Sequence, residues 1–128
     1  MFVLNEDLSI YVTRGDVLFF AVTMKDDDGN QHNFSEGDVV RVKVYGKKNA
    51  SEVVLEKDFH IYADSEMAEI YLTKEDTKIG DVISKPTDYW YEVELNPDTE
   101  PQTIIGYDED GAKVFKLFPE GADTEVDV

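Results

Sequence analysis

The chain has 128 residues, 41% of them apolar and 12% aromatic, which is the material of one ordinary domain; at this length folding buries about two thirds of the surface the unfolded chain exposes, with no metal or disulfide required. The absence of cysteine removes disulfides, thiolate zinc sites, iron–sulfur clusters and a cysteine nucleophile. With 29 acidic against 12 basic residues the formal charge is -17, which argues against nucleic-acid partners, because their binding rests on neutralising phosphates, and equally against anionic membrane surfaces.

No apolar run approaches the ~20 residues of a membrane span, and Met1-Phe2-Val3-Leu4-Asn5-Glu6-Asp7 shows no basic region followed by a long apolar stretch. A soluble protein synthesised in the cytoplasm is expected. Along the chain the dominant signal is short runs of β-branched and aromatic residues separated by turn chemistry. Leu8 to Thr13 alternates with period two, and Arg14-Gly15-Asp16 then turns the chain. Val17 to Met24 is apolar on both faces, so it reads as a central strand covered on each side. Asp28-Gly29 supplies the positive φ of a tight hairpin.

Asp38 to Gly46 places Val40, Val42 and Val44 on one face against Arg41, Lys43 and Tyr45. Glu52 to Phe59 follows with Val53, Leu55 and Phe59 expected inward, and Met67 to Leu72 with Ala68, Ile70 and Leu72. Thr73-Lys74-Glu75-Asp76 resembles a helix start, with Thr73 able to accept from the Asp76 amide, but Gly80 soon ends it. One helical turn is predicted there, anchored by Ile79. Asp88 to Leu95 sets Tyr89, Tyr91, Val93 and Leu95 against Trp90, Glu92 and Glu94; Pro101 to Gly106 and Ala112 to Phe118 complete the strands. The reading is all-β: a two-sheet antiparallel sandwich of about eight strands with one short helical turn, spanning residues 1–119, followed by a flexible acidic tail over 120–128. Its predicted core includes Val40, Val42, Val44, Ile70, Leu72 and Val93.

Candidate chemistry is sparse. Asp26, Asp28 and Asp110 sit in acidic glycine turns that invite calcium, yet the first has the wrong register for an EF-hand and both suit hairpin tips. His32 and His60 lack zinc-site spacing, and no serine stands in an elbow motif. Paired carboxylates abound, so a small carboxylate hydrolase stays a weak third class. No metal, cofactor or catalytic residue is assigned. Tyr11, Tyr45, Tyr89 and Trp90 are candidates for a partner- or sugar-stacking face, the alternative being cross-strand pairs that shield a sheet.

The order of segments carries a resemblance. A strand closed by Arg14-Gly15-Asp16, then VLFFAVTMKDDDGN, a strand starting Gly37-Asp38-Val39-Val40-Arg41, LTKEDTKIG, and DYWYEVEL ending in Glu94-Leu95 before a hairpin resemble the N-terminal domain of phage baseplate upper proteins and small virion proteins of Firmicute prophages. The resemblance covers Leu8 to Phe118 and implies an immunoglobulin-like sandwich that docks a fibre or receptor-binding component and performs no catalysis. That family's long helical, fibre-binding region has no counterpart in these 128 residues, so the partner-docking part is either missing or the sandwich itself, and the family's placement within the particle is not carried over. The expected function is that of a virion protein, located in the particle and contacting other virion proteins or further copies of itself as a homo-oligomer. Val17 to Met24 and Tyr89-Trp90-Tyr91 place apolar groups on both sides of a strand, and cover by another subunit is expected rather than by Phe2-Val3-Leu4 folding back. The competing expectation is a carbohydrate-binding or cell-surface adhesive sandwich, with or without a calcium ion at an acidic hairpin.

Overall fold

A computed structural model describes residues 1–47 and 51–121. In chain order the strands are β1 (Phe2–Leu4), β2 (Ile10–Thr13), β3 (Leu18–Val22), β4 (Met24–Lys25), β5 (Gln31–His32), β6 (Val39–Tyr45), β7 (Val53–His60), β8 (Ala68–Leu72), β9 (Thr87–Leu95), β10 (Gln102–Ile105) and β11 (Lys113–Phe118). One sheet runs β1-β2-β11-β9-β6-β7, with β10 beside the C-terminal end of β9; β3 pairs with β8 as a separate two-stranded ribbon, and β4 with β5 as a hairpin. The fold is all-β, as expected, but its sheets are mixed. β2 and β11 pair parallel, which corrects the purely antiparallel reading: two strands far apart in sequence reach each other over long connections that alternation alone does not reveal.

The ribbon and the large sheet enclose one core. β6, β8 and β9 enter it as their alternation predicts, because β-branched and aromatic side chains of one parity project to one side of a pleated strand. Val40, Val42, Val44, Ile70, Leu72 and Val93 are all buried, joined by Ile10, Val12, Leu18, Phe20, Val22, Phe115 and Leu117. Phe34 is wholly buried too, held by an isolated bridge to Ser65 with reciprocal backbone hydrogen bonds of 2.8 and 3.0 Å. A buried valine contributes about 1.5 to 3 kcal/mol by leaving water, so this cluster outweighs any single polar contact.

Several expectations are corrected. Val17 to Met24 is not a strand covered on both sides: Leu18, Phe20 and Val22 are buried, whereas Val17 and Phe19 are 51% and 52% exposed. β3 lies in a two-stranded ribbon with nothing over its outer face among the described residues. Phe2-Val3-Leu4 does not cover that face: β1 pairs with β2, its Phe2 ring lies 6.2 Å from that of the inward Phe20, and Leu4 lines a cleft with Phe20 and Val22. Val53 points outward, 48% exposed. β7 carries an extra residue where the register slips between Val44↔Leu55 and Tyr45↔Val53, and such a bulge moves the residues beyond it to the other face. The expected helical turn closes with a bond from Thr77 N to Thr73 O (3.2 Å) and a tighter one from Lys78 N to Glu75 O (3.2 Å) before Gly80; Thr73 Oγ1 accepts from Asp76 N at 3.2 Å while Asp76 Oδ2 accepts from Thr73 N at 2.8 Å, a reciprocal cap. β2 starts at Ile10 rather than Leu8, which takes a positive φ of 70°. The tail expected from residue 120 lies outside the described residues from 122 onward.

Candidate functional site

The outer face of the large sheet gathers most of the aromatic candidates. In β9 the parity that sends Tyr91, Val93 and Leu95 inward sends Trp90, Glu92 and Glu94 outward; Trp90 faces Tyr45 on β6 and Val114 on β11. Tyr11 stands on the same face of β2, its ring 5.6 Å from Phe118 and with Lys116 Nζ 5.7 Å above it. Tyr89 belongs to the other face, packed against the core. The four candidates therefore do not form one surface. Tyr45 is also buried rather than exposed: its ring fills the face between Trp90 and Val53, and its hydroxyl hydrogen-bonds to Glu92. Burial, then the neighbouring carboxylate, push its pKa up to about 12. The shielding-pair reading thus describes Tyr45 and Tyr11, while Trp90 is half-buried with an Nε1–H that lacks a partner among the described residues.

Toward β7 the same face becomes a lattice of charges. Arg41 donates through Nε and Nη2 to Asp58 (2.7 and 3.1 Å) and through Nη1 and Nη2 to Asp98 (3.1 and 2.9 Å), with Glu56 3.0 Å from Nε. Two bidentate forks on one guanidinium tie β6, β7 and the loop after β9 together. The Asp58 hydrogen bond, followed by that of Asp98, raises the Arg41 pKa further, and Arg41 in turn lowers that of Asp58. Lys43 Nζ stands 3.4 Å from Glu94 and 4.0 Å from Glu92. Burial and the charge of Glu94 raise the Glu92 pKa, against the pull of Lys43. Sequence reasoning read Arg41 only as an outward residue and missed it as a hub; Asp58 is 17 residues away in sequence, and only the strand register brings the two together.

The acidic turns are occupied with their own backbones. Asp26 Oδ1 accepts from Asp28 N (3.0 Å) and Asn30 N (2.9 Å), while Gly29 alone in that turn takes a positive φ, 83°. Asp108 accepts from Asp110 N (2.9 Å) and from Lys113 Nζ (2.8 Å), and the lysine, buried on the inner face, lowers the aspartate's pKa. Among the described residues no cluster of three or more His, Asp or Glu side chains is placed to hold a metal ion, so Asp26, Asp28 and Asp110 are not brought together.

Two motifs that carried the resemblance meet in space. Arg14 is only 9% exposed and donates to Gly80 O (2.8 Å) and Ile79 O (3.4 Å); Thr77 Oγ1 accepts from Gly15 N (3.0 Å) and donates to Asp16 O (2.8 Å). Arg14-Gly15-Asp16 is accordingly a turn stapled onto the segment after β8 by the buried Arg14 side chain and the Gly15 and Asp16 backbone, while the half-exposed Asp16 carboxylate pairs with the N-terminal ammonium. Two clefts remain. One of about 430 Å³ is lined by Asp58, His60, Tyr62, Ser65, Met67 and Glu69 among others, with Tyr62 82% exposed and its ring 6.3 Å from that of His60. The other, about 260 Å³, lies between β1, β10 and the free edge of β3, and of its lining residues Leu4, Leu8, Phe20, Ala21, Val22, Ile104 and Ile105 are apolar.

No protein-family model, no curated protein and no solved structure matches this chain. Among the described residues no helix is long and apolar enough to cross a membrane.

Proposed function

We propose that this chain is a non-enzymatic structural protein of a phage or prophage particle, working through contacts with other virion proteins and with further copies of itself. The observation that carries this reading is the ribbon. Its outer face presents Val17, Phe19, Ala21 and Tyr71 to solvent, interrupted by Glu69, on a molecule whose formal charge is -17, and an exposed apolar strip of that kind is the usual mark of a protein–protein contact. The clefts and the carboxylates of the large sheet favour no catalytic arrangement over this one: Ser65 Oγ accepts from Met67 N, His60 stacks beside Tyr62, and Glu92 and Glu94 flank Lys43 on an open sheet.

The immunoglobulin-like form of the sandwich is part of the same proposal. It is supported by the order β2-β11-β9-β6-β7 facing β3-β8, with β2 parallel to β11 and a central pair β9–β6, a two-sheet arrangement that matches that fold's division of strands. The test is co-purification. Particles induced from the producing bacterium and banded by density should contain this chain at a fixed ratio to the major tail or capsid protein; recovery only in the soluble fraction overturns the proposal. The second reading, a glycan-binding module, is favoured by exposed Tyr62 beside the larger cleft, and binding on a glycan array that is lost in Tyr62→Ala would replace the first.

A further inference from the structure

The free edge of β3 is unlike the other free edges of the molecule. β7 carries Glu56, Lys57 and Asp58, with Lys57 turned inward against Asp76 at 2.5 Å; charges on an edge, above all an inward lysine, keep other strands from adding to it. β8 carries Glu69, β1 is three residues long, and β10 is irregular in register. β3 is regular over five residues and uncharged, and it sits in Val17 to Met24, the longest uncharged run of the chain. Its outer face alternates a large and a small residue, Phe19 and Ala21, both exposed, and its edge borders the apolar cleft lined by Phe20 and Val22.

We propose that β3 pairs antiparallel with β3 of a second copy, about a two-fold axis at Phe20, joining the two ribbons into one four-stranded sheet. The inference rests on the assembly reading above and specifies its self-contact. The strand is complementary to its own reverse: Phe19 falls opposite Ala21 of the other copy and Ala21 opposite its Phe19, so each ring covers a methyl, while Leu18 meets Val22 on the inner side. Because Phe20 is the centre of the pairing, alternate residues on each side of it supply the backbone hydrogen bonds that the edge leaves unmade. Charge permits this contact where it forbids others. Glu69 lies across from Ala21 on β8, so the two copies of Glu69 stand three strand spacings apart, about 14 Å, beyond the screening length of about 10 Å at 0.1 M salt.

The experiment is sedimentation equilibrium of the whole chain from tens to hundreds of micromolar at low and high salt, with Ala21→Lys as the variant. Ala21 is solvent-facing, so the variant keeps the wild-type circular dichroism and melting curve. The wild type is expected to approach twice the monomer mass, more fully at high salt, and A21K to weaken the dimer by at least roughly tenfold through a lysine set against Phe19. The chain has no cysteine, so a Phe19→Cys, Ala21→Cys double variant reports the register: mild oxidation should give a covalent dimer, and either single variant should not. A dimer that survives A21K and does not cross-link in the double variant overturns the β3 pairing and leaves self-assembly through another surface. A chain monomeric under all conditions also overturns it, while the particle reading then stands or falls on co-purification alone.

Discussion

The outer faces of the two sheets are built from the same pleated geometry and solve solvation differently. On the large sheet the charged outward positions pair across the strands, and so does one aromatic: Arg41 with Asp58 and Asp98, Lys43 with Glu94, Lys116 with Asp88 at 3.6 Å, Tyr11 with Phe118. On the ribbon, Phe19 faces Tyr71 and Ala21 faces Glu69, and no opposite charges meet. A strand in the middle of a sheet has neighbours on both sides from which to draw such partners. A two-stranded ribbon has one, so what its outer face lacks must come from solvent or from another molecule. Polar pairing, rather than apolar content alone, separates a finished face from an unfinished one.

The strongest way to sharpen this contrast is to show that both sheets depend equally on their inner faces. Ile70→Ala in β8 should cost about 2 to 5 kcal/mol and Val42→Ala in β6 about 1 to 3 kcal/mol in urea unfolding, from lost burial and the cavity left behind. Both side chains are essentially inaccessible. If Ile70→Ala proved nearly neutral, the ribbon would not be part of the shared core.

Next in size is Arg41→Met, which takes the common partner from Glu56, Asp58 and Asp98. A loss of about 1 to 2 kcal/mol is expected, since three carboxylates are left to repel one another around a side chain that the sheet half covers. The pH dependence follows from the direction of the Asp58 shift. Its folded pKa lies below the ordinary 3.8, chiefly through the Arg41 hydrogen bond, so its contribution is fully present above the unfolded value and is lost as pH falls through the folded one. Arg41→Met should flatten that acid limb, and the deficit relative to wild type should shrink as salt screens the carboxylates. A variant with unchanged acid unfolding would remove Arg41 as the organiser of this face.

Glu92 has the opposite sign. Its folded pKa is raised above 4.5 by burial first and then by Glu94, so the charged form is disfavoured in the folded protein, and stability is lost as pH rises through that raised value. Glu92→Gln should therefore stabilise at neutral pH, by up to about 1 kcal/mol, with the gain fading below the unfolded pKa, where wild-type Glu92 is protonated in both states. A destabilised variant at pH 7 would mean that Lys43 and the Tyr45 hydroxyl outweigh burial.

How much of this was legible in the sequence depends on the kind of contact. Alternation in β6, β8 and β9 marks the inner face because one parity is apolar and the other is not. It fails for β3, where both parities are apolar and periodicity cannot say whether one face or two are covered. It fails at Val53 because a bulge has no residue signature in a run of β-branched side chains. Phe34 escapes notice as a lone apolar residue among polar ones; its ring joins the core from a segment that a backbone bridge to Ser65 fixes in place. The aromatic face was half legible: parity separates Trp90 from Tyr89, but whether Tyr45 is exposed depends on neighbours that come from the register with β7 and β9. The union of Arg14-Gly15-Asp16 with Thr77 and Gly80 is a contact more than sixty residues apart in sequence, which no local pattern encodes.

The smallest expected effect on stability is the one that isolates the ribbon's outer face. Tyr71→Thr puts another strand-favouring residue, a β-branched one, opposite Phe19 and removes an aromatic ring that is 45% exposed, so within one molecule it gives up little more than a cross-strand pair worth about 0.2 to 1 kcal/mol. A midpoint shift in dilute urea titrations at the low end of that range is expected, against several kcal/mol for Ile70→Ala one residue away. That ratio tests the contrast between the faces, because the two positions share a strand, a ribbon and a backbone environment and differ only in the side they occupy. At high protein concentration the comparison should change: if the ribbon is completed by a second copy, the melting temperature of the wild type rises with concentration while that of Tyr71→Thr rises less. A Tyr71→Thr variant as damaging as Ile70→Ala in dilute solution would show that its ring is covered within the monomer, and the ribbon's outer face would then be as finished as that of the large sheet.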